Sequence, residues 1–208
     1  MATIRILLGI VCLAALGSRA VPERSVLKGC VLPVVGCEAR TTGNITRNTQ
    51  PTTGNTNDTR NTLIGIAQSQ IGVREATGHN DGPEVERYLH YTGNRKGEAW
   101  CASFVSWVYG QAGFNQPNTA WSPALLPAGK QTRSPQPADV FGIYSLKLKR
   151  IAHAGLVERR QHDWIISIEG NTHADGRRDG DGVYRKWRHI RTINSFANWL
   201  KGKEVPHD

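Results

Sequence analysis

Cys101 sits in W-C-A-S-F-V-S-W, at the first turn of a helix that the spacing of Phe104, Val105, Val108 and Ala112 predicts and Gly113 ends. A thiol attacks a carbonyl as its thiolate, and the unpaired N–H groups of a helix start favour that anion. A lone cysteine is also at home as a small buried hydrophobe, so this residue alone leaves both readings open. His153 lies in I-A-H-A-G-L-V, a strand pattern bearing one imidazole, and Glu169 closes the next such pattern in S-I-E-G-N-T. If those two strands pair through the intervening R-R-Q-H-D turn, His153 and Glu169 lie side by side on one face. Thiolate, imidazole and an orienting carboxylate are what nucleophilic acyl transfer requires. Taken singly, His153 reads equally well as a satisfied core histidine and Glu169 as a solvated edge carboxylate.

The elements that must position these groups follow from periodicity. Apolar residues at 63, 64, 66, 67 and 71 have helical spacing, and D-G-P-E at 81–84 opens a second helix with Val85, Tyr88 and Leu89 on one stripe. Residues 121–137 are rich in Pro, Ser and Gly and read as a long loop. Strand patterns follow at 139–144, 151–157, 164–169 and 183–188, then a last short helix at 192–200. Helices first and strands afterwards predict an α+β domain on an antiparallel sheet.

Residues from about 63 to 190 resemble CHAP domains, the cysteine- and histidine-dependent amidohydrolases and peptidases of bacterial cell-wall hydrolases. The resembling pieces are I-G-V-R-E, N-D-G-P-E-V-E-R-Y-L, A-W-C-A-S-F-V-S-W-V-Y, P-Q-P-A-D-V, H-A-G-L-V and E-G-N-T, in that order. The resemblance implies a papain-like fold with the Cys helix packed on the sheet that carries the base. It implies Cys101 as nucleophile, His153 as general base, Glu169 as the residue that orients it and Asn171 as an accompanying polar residue. One departure is Ala138, where the family usually has Gly before Asp139. Some relatives carry an Asp-rich calcium loop before the cysteine, and His79-Asn80-Asp81 is too sparse for one. Trp100 and Trp121 are candidates to line a substrate groove, or else core and loop-anchoring aromatics.

The rest of the chain sets the context. Residues 1–20 have the charged, apolar, small-residue order of a secretory signal peptide, and the apolar run at 6–16 is too short to span a bilayer. Their removal takes Arg5 and Arg19 and no acid, so the net charge falls from +9 to +7. That excess suits anionic wall polymers, acidic lipids or nucleic acid without choosing among them. Residues 21–62 read as a Thr/Asn-rich linker in which Cys30 and Cys37 could close a small disulfide loop, and 63–208 as one catalytic domain. L-K-G-C at 27–30 is lipobox-like but carries Lys28 and lies far from the apolar run, and Asn44 and Asn57 stand in N-x-Thr sequons. Cysteines and histidines show no metal-ligand spacing, and A-D-G-R-R-D-G-D-G, with Asp175, Asp179 and Asp181, reads as a glycine-rich turn, so no metal or cofactor is expected. The basic run Arg177, Arg178, Arg185, Lys186, Arg188 and Arg191, interleaved with Tyr184 and Trp187, reads as a solvated strand face, with no nucleic acid expected.

The expectation is therefore an exported cysteine hydrolase acting on peptidoglycan. Two alternatives stay open: a non-catalytic wall-binding module of the same fold, and a secreted protease or transglutaminase-like enzyme acting on proteins.

Overall fold

The structure, a computed structural model, describes residues 55–175 and 180–202. The expected signal peptide, the Cys30–Cys37 loop, the lipobox-like segment, Asn44, Arg177, Arg178 and Asp179 lie outside them. Three helices come first: α1 (Thr56–Ser69), α2 (Pro83–Tyr91) and α3 (Cys101–Gln111). Six strands follow, β1 (Gln131–Thr132), β2 (Val140–Ser145), β3 (Arg150–Gln161), β4 (Trp164–Thr172), β5 (Gly182–His189) and β6 (Ser195–Ala197). They form one antiparallel sheet in the order β1-β6-β2-β3-β4-β5. The domain is α+β, with the cysteine-bearing helix packed on the sheet. No helix among the described residues is long and apolar enough to cross a membrane.

Helix α3 is the centre of the core. Every residue from Cys101 to Tyr109 is buried, which is why its sequence is apolar all round rather than striped. Its two buried serines are satisfied, Ser103 with Thr92 at 2.7 Å and Ser106 donating to the Thr119 carbonyl at 2.9 Å. Tyr88 of α2 meets the rings of Trp100, Phe104 and Trp107 at 5.6, 5.4 and 5.0 Å between centroids. Each such large side chain contributes about 1.5–3 kcal/mol of burial. Two glycines let the layers close. A Cβ on Gly170 of β4 would stand 2.6 Å from Trp100 and 2.8 Å from Phe104, and one on Gly155 of β3 would stand 2.8 Å from Glu169 and from Phe141.

Helix α1 begins at Thr56, inside the Thr/Asn-rich stretch that composition assigns to a linker. Asn55 caps it by accepting from the Asn57 N–H at 3.1 Å. Arg60, one turn further, is buried and pairs with the buried Asp139 at 2.9 Å while also donating to the Pro137 carbonyl. Removing one partner of such a pair costs about 3–5 kcal/mol, so tertiary charge pairing sets this helix start where intrinsic propensity is weak.

The helix expected at 192–200 is not there. Ile190–Thr192 form a 3₁₀ turn and Ser195–Ala197 the strand β6 between β1 and β2. Ile193, Phe196, Ala197 and Leu200 mimic a helical period. Phe196 instead joins Phe141, Val157 and Ile165 in a second apolar cluster, which only an extended backbone reaches. Ala138, the position where a glycine was expected, has φ +67°, a left-handed conformation that costs a non-glycine residue energy.

Candidate active site

Helix α3 starts at Cys101, so the thiol stands at the first helical position, where backbone N–H groups have no intrahelical acceptor. β3 and β4 pair in antiparallel register through the turn after Gln161, with Leu156 opposite Ile168 and Val157 opposite Ser167. Alternation then puts His153 and Glu169 on a common face, and the His153 Nε2 meets the Glu169 Oε2 at 2.8 Å. The other ring nitrogen is left for the thiol, and His153 is among the groups that hold the thiol's pKa down. Cys101, His153 and Asn171 line one cleft of about 1090 Å³ between the α3 start, the β2–β3 turn and the loop before α2.

Charge on the sheet side is concentrated on Glu169, which is fully buried. It accepts from Ser167 Oγ at 2.6 Å, Arg188 Nε at 2.8 Å and Arg188 Nη2 at 2.6 Å, besides His153. Burial alone would raise its pKa, but the Arg188 and His153 hydrogen bonds and charges hold it well below the usual carboxylate range. Burial likewise disfavours imidazolium at His153, yet the bonds and charges of Cys101 and Glu169 outweigh it and raise that group to about 10. At Cys101 burial pushes the thiol up, while His153, the Ser122 hydroxyl and the Ala154 N–H bring it down to about 7. The three directions agree: they favour thiolate at Cys101 and imidazolium at His153, with an ionised Glu169 behind them.

Asn171 does not touch the histidine. Its φ is +53°, at a register shift in the β4–β5 pairing, and its amide donates to Asn80 Oδ1 at 2.8 Å while its Oδ1 accepts from the Trp100 N–H at 3.4 Å. Glu75, from the I-G-V-R-E stretch, completes that clamp, accepting from Trp100 Nε1 at 2.9 Å and the Asn80 N–H at 2.9 Å. Asn171 thus ties the cleft wall to Trp100, the residue before Cys101.

Trp100 cannot line a groove. It is 0% exposed, its ring packed on Tyr88 and its indole N–H spent on Glu75. Trp121 is 52% exposed, and the Arg150 guanidinium lies over its ring at 4.3 Å from the centroid. Arg150 itself lines the cleft.

Two residues at the site escaped the sequence. Ser122 Oγ, in the 3₁₀ turn Ser122–Leu125, lies 3.4 Å from Cys101 Sγ, and nothing in W-S-P marks it. Arg188 stands out only as one cation of a basic run until the register places it on the face of Glu169. Arg185 of the same run pairs with Glu158 at 2.6 Å, and Lys186 donates to the His173 and Ala174 carbonyls at 2.6 and 2.8 Å. The basic run is thus partly tied down on both faces of β5 rather than wholly solvated. No group of three or more His, Cys, Asp or Glu side chains among the described residues could hold a metal ion.

No protein-family model matches the chain, and no curated protein does. Solved structures that it resembles include Ly7917 with the hydrolyzing product of MDP, at TM-score 0.39 and 14% identity, covering 66% of this chain and 61% of that one. Ly7917 alone matches at TM-score 0.38 and 15% identity, covering 66% and 60%. A protein described as similar to lipoprotein, NLP/P60 family, from Staphylococcus aureus subsp. aureus Mu50 matches at TM-score 0.40 and 15% identity, covering 77% of this chain and 45% of that one. The chain therefore spans less than two thirds of each of these structures' lengths. The likenesses are distant, and the chemistry rests on this chain's own residues.

Proposed function

We propose that this chain is an exported cysteine hydrolase of CHAP type that cuts amide or peptide bonds of peptidoglycan. The observation that carries the chemistry is Cys101 at a helix start in the same cleft as His153, whose Nε2 meets a buried Glu169 at 2.8 Å. The Cys101 thiolate attacks the carbonyl carbon, and the tetrahedral oxyanion is held in part by the Cys101 N–H. His153, already protonated, gives its proton to the leaving amine. It then takes a proton from the water that hydrolyses the thioester. Glu169 stays ionised throughout and keeps the ring oriented, while Arg188 and Ser167 fix Glu169. Peptidoglycan as substrate rests on the family resemblance and on the basic net charge, and export on the first twenty residues.

Mass spectrometry of purified peptidoglycan after incubation with the mature protein and with Cys101→Ala tests this directly. New fragments from wild type alone are expected, and their masses name the bond as sugar–peptide or peptide–peptide. Removing the nucleophile lowers turnover by about 10⁴-fold or more while leaving the fold intact, since Ala fits where Cys stood. Wild-type rates in that variant would overturn the assignment of Cys101. Intact substrate with both folded proteins would overturn peptidoglycan as substrate.

A further inference from the structure

Among the described residues, the cleft beside Cys101 is lined by Lys147, Arg150, Arg188, His79 and His153 and by no aspartate or glutamate. Arg188 pairs with Glu169, and His153 lies between Glu169 and Cys101, so these two cations already have anionic partners. Lys147 and Arg150 are different: among the described residues neither pairs with a carboxylate. Lys147 stands in the turn between β2 and β3, and Arg150 opens β3 three residues before His153. Arg150 is half-buried and held at two points, its Nη1 donating to the Ile151 carbonyl at 2.9 Å and its guanidinium stacked on Trp121 at 4.3 Å. The ring and the carbonyl hold the guanidinium in place and leave its remaining N–H groups to donate. A fork held in this way, with Lys147 as a second cation on the same cleft wall, matches the planar, bidentate geometry of a carboxylate.

We propose that Lys147 and Arg150 form a carboxylate subsite of the cleft, so that the preferred substrate carries a free carboxylate close to the amide that Cys101 attacks. Trp121 is the positioning residue that holds Arg150. This deepens the reading of the cleft as a peptidoglycan hydrolase site and rests on it for the identity of the substrate. Stem peptides with free carboxyl groups are then cut in preference to the same peptides with those groups amidated. A charged hydrogen-bonding pair lost to a neutral amide changes the rate by about tenfold or more.

The test compares fragment release from native peptidoglycan and from the same preparation with its carboxyl groups converted to primary amides by carbodiimide and ammonium. Wild type is expected to cut the native polymer at least about tenfold faster, and Lys147→Gln/Arg150→Gln to cut both at nearly one rate. Equal wild-type rates on the two, or a preference that survives in the double variant, would overturn the subsite. A second measurement needs no substrate: the ratio of Cys101 alkylation rates by iodoacetate and iodoacetamide, read from the mass of the Cys101 peptide. The sulfur displaces iodide from both reagents, and only one of them carries a carboxylate. The ratio should fall several-fold in the double variant, with the iodoacetamide rate unchanged, and an unchanged ratio would count against the subsite. Trp121→Ala should lower the ratio and Trp121→Phe restore it, which a merely structural role would not do. If neither polymer is cut yet the alkylation ratio falls, peptidoglycan is lost as substrate and the anion subsite stands.

Discussion

The helix that bears Cys101, the proposed nucleophile, and the strands that bear His153, the proposed base, and Glu169 are held by different physics. Around Cys101 the position is set by packing: α3 is buried along its whole first two turns, and the Ser122 hydroxyl lies 3.4 Å from the thiol sulfur. Around His153 the position is set by charge, with Glu169 fully buried between an imidazole and a doubly bonded guanidinium. Packing is distributed over many weak contacts and yields gradually when one is changed. A buried charge cluster yields all at once, because removing one member leaves the others unpaired in a poor solvent.

Glu169→Gln is the sharpest way to test that contrast. It keeps the volume, abolishes the charge behind His153 and leaves Arg188 without its anion. Turnover is expected to fall by about 10³–10⁴-fold, as for a wrongly oriented base, and urea unfolding to show a loss of about 3–5 kcal/mol. Phe104→Leu on the helix side should cost only about 1–2 kcal/mol and leave turnover within about threefold. If Phe104→Leu damaged turnover as badly as Glu169→Gln, the division between packed and charged halves would be wrong.

Arg188→Gln produces a smaller and more informative change. The wild-type rate should rise with pH as Cys101 ionises near about 7 and fall again as His153 loses its proton near about 10. Arg188 shares the charge of Glu169, so its removal leaves more of that charge for the imidazolium and takes a positive charge from its neighbourhood. Both changes favour protonated His153, and the alkaline limb moves to higher pH. Turnover at the optimum falls by about tenfold as Glu169 loses two of its four hydrogen bonds. A pH–rate profile whose alkaline limb moved downward would show that Arg188 acts in some other way.

The reach of the sequence follows the same division. Helix α3 and the strands of His153 and Glu169 are legible because burial writes itself locally, as an apolar run or an alternation. The partners in the charge cluster are not. Arg188 is separated from Glu169 by a turn that includes Asp181 and by a strand register, and no local pattern reveals which cation of a basic run will face the carboxylate. The start of α1 is hidden for a related reason: Arg60 lies among threonines and asparagines, and its buried partner Asp139 is 79 residues away. Arg159, Arg160 and Gln161 read as part of the R-R-Q-H-D turn, yet they continue the pairing of β3 with β4 as far as Gln161 opposite Trp164. Tryptophan misleads in the other direction, since W-C looks like a groove wall, whereas Trp100 is sealed by Tyr88 and Glu75.

Ser122 is where the packed half carries its one small polar term, and it should show the smallest effect. Its hydroxyl lies 3.4 Å from Sγ and either atom can donate in the neutral pair, but only the hydroxyl can donate once the sulfur is a thiolate. Ser122→Ala therefore removes a bond made to the charged form and none needed by the fold, and the Cys101 ionisation should move upward. The pH dependence of iodoacetamide alkylation reads that ionisation without any contribution from substrate binding. An upward move of about half a unit to one unit is expected, with turnover at neutral pH lowered by about three- to tenfold and nearly restored at higher pH. If the ionisation stayed in place while turnover fell, the hydroxyl would be acting on the oxyanion rather than on the resting thiolate. The polar contribution at the helix start would then belong to the transition state, not to the preparation of the nucleophile.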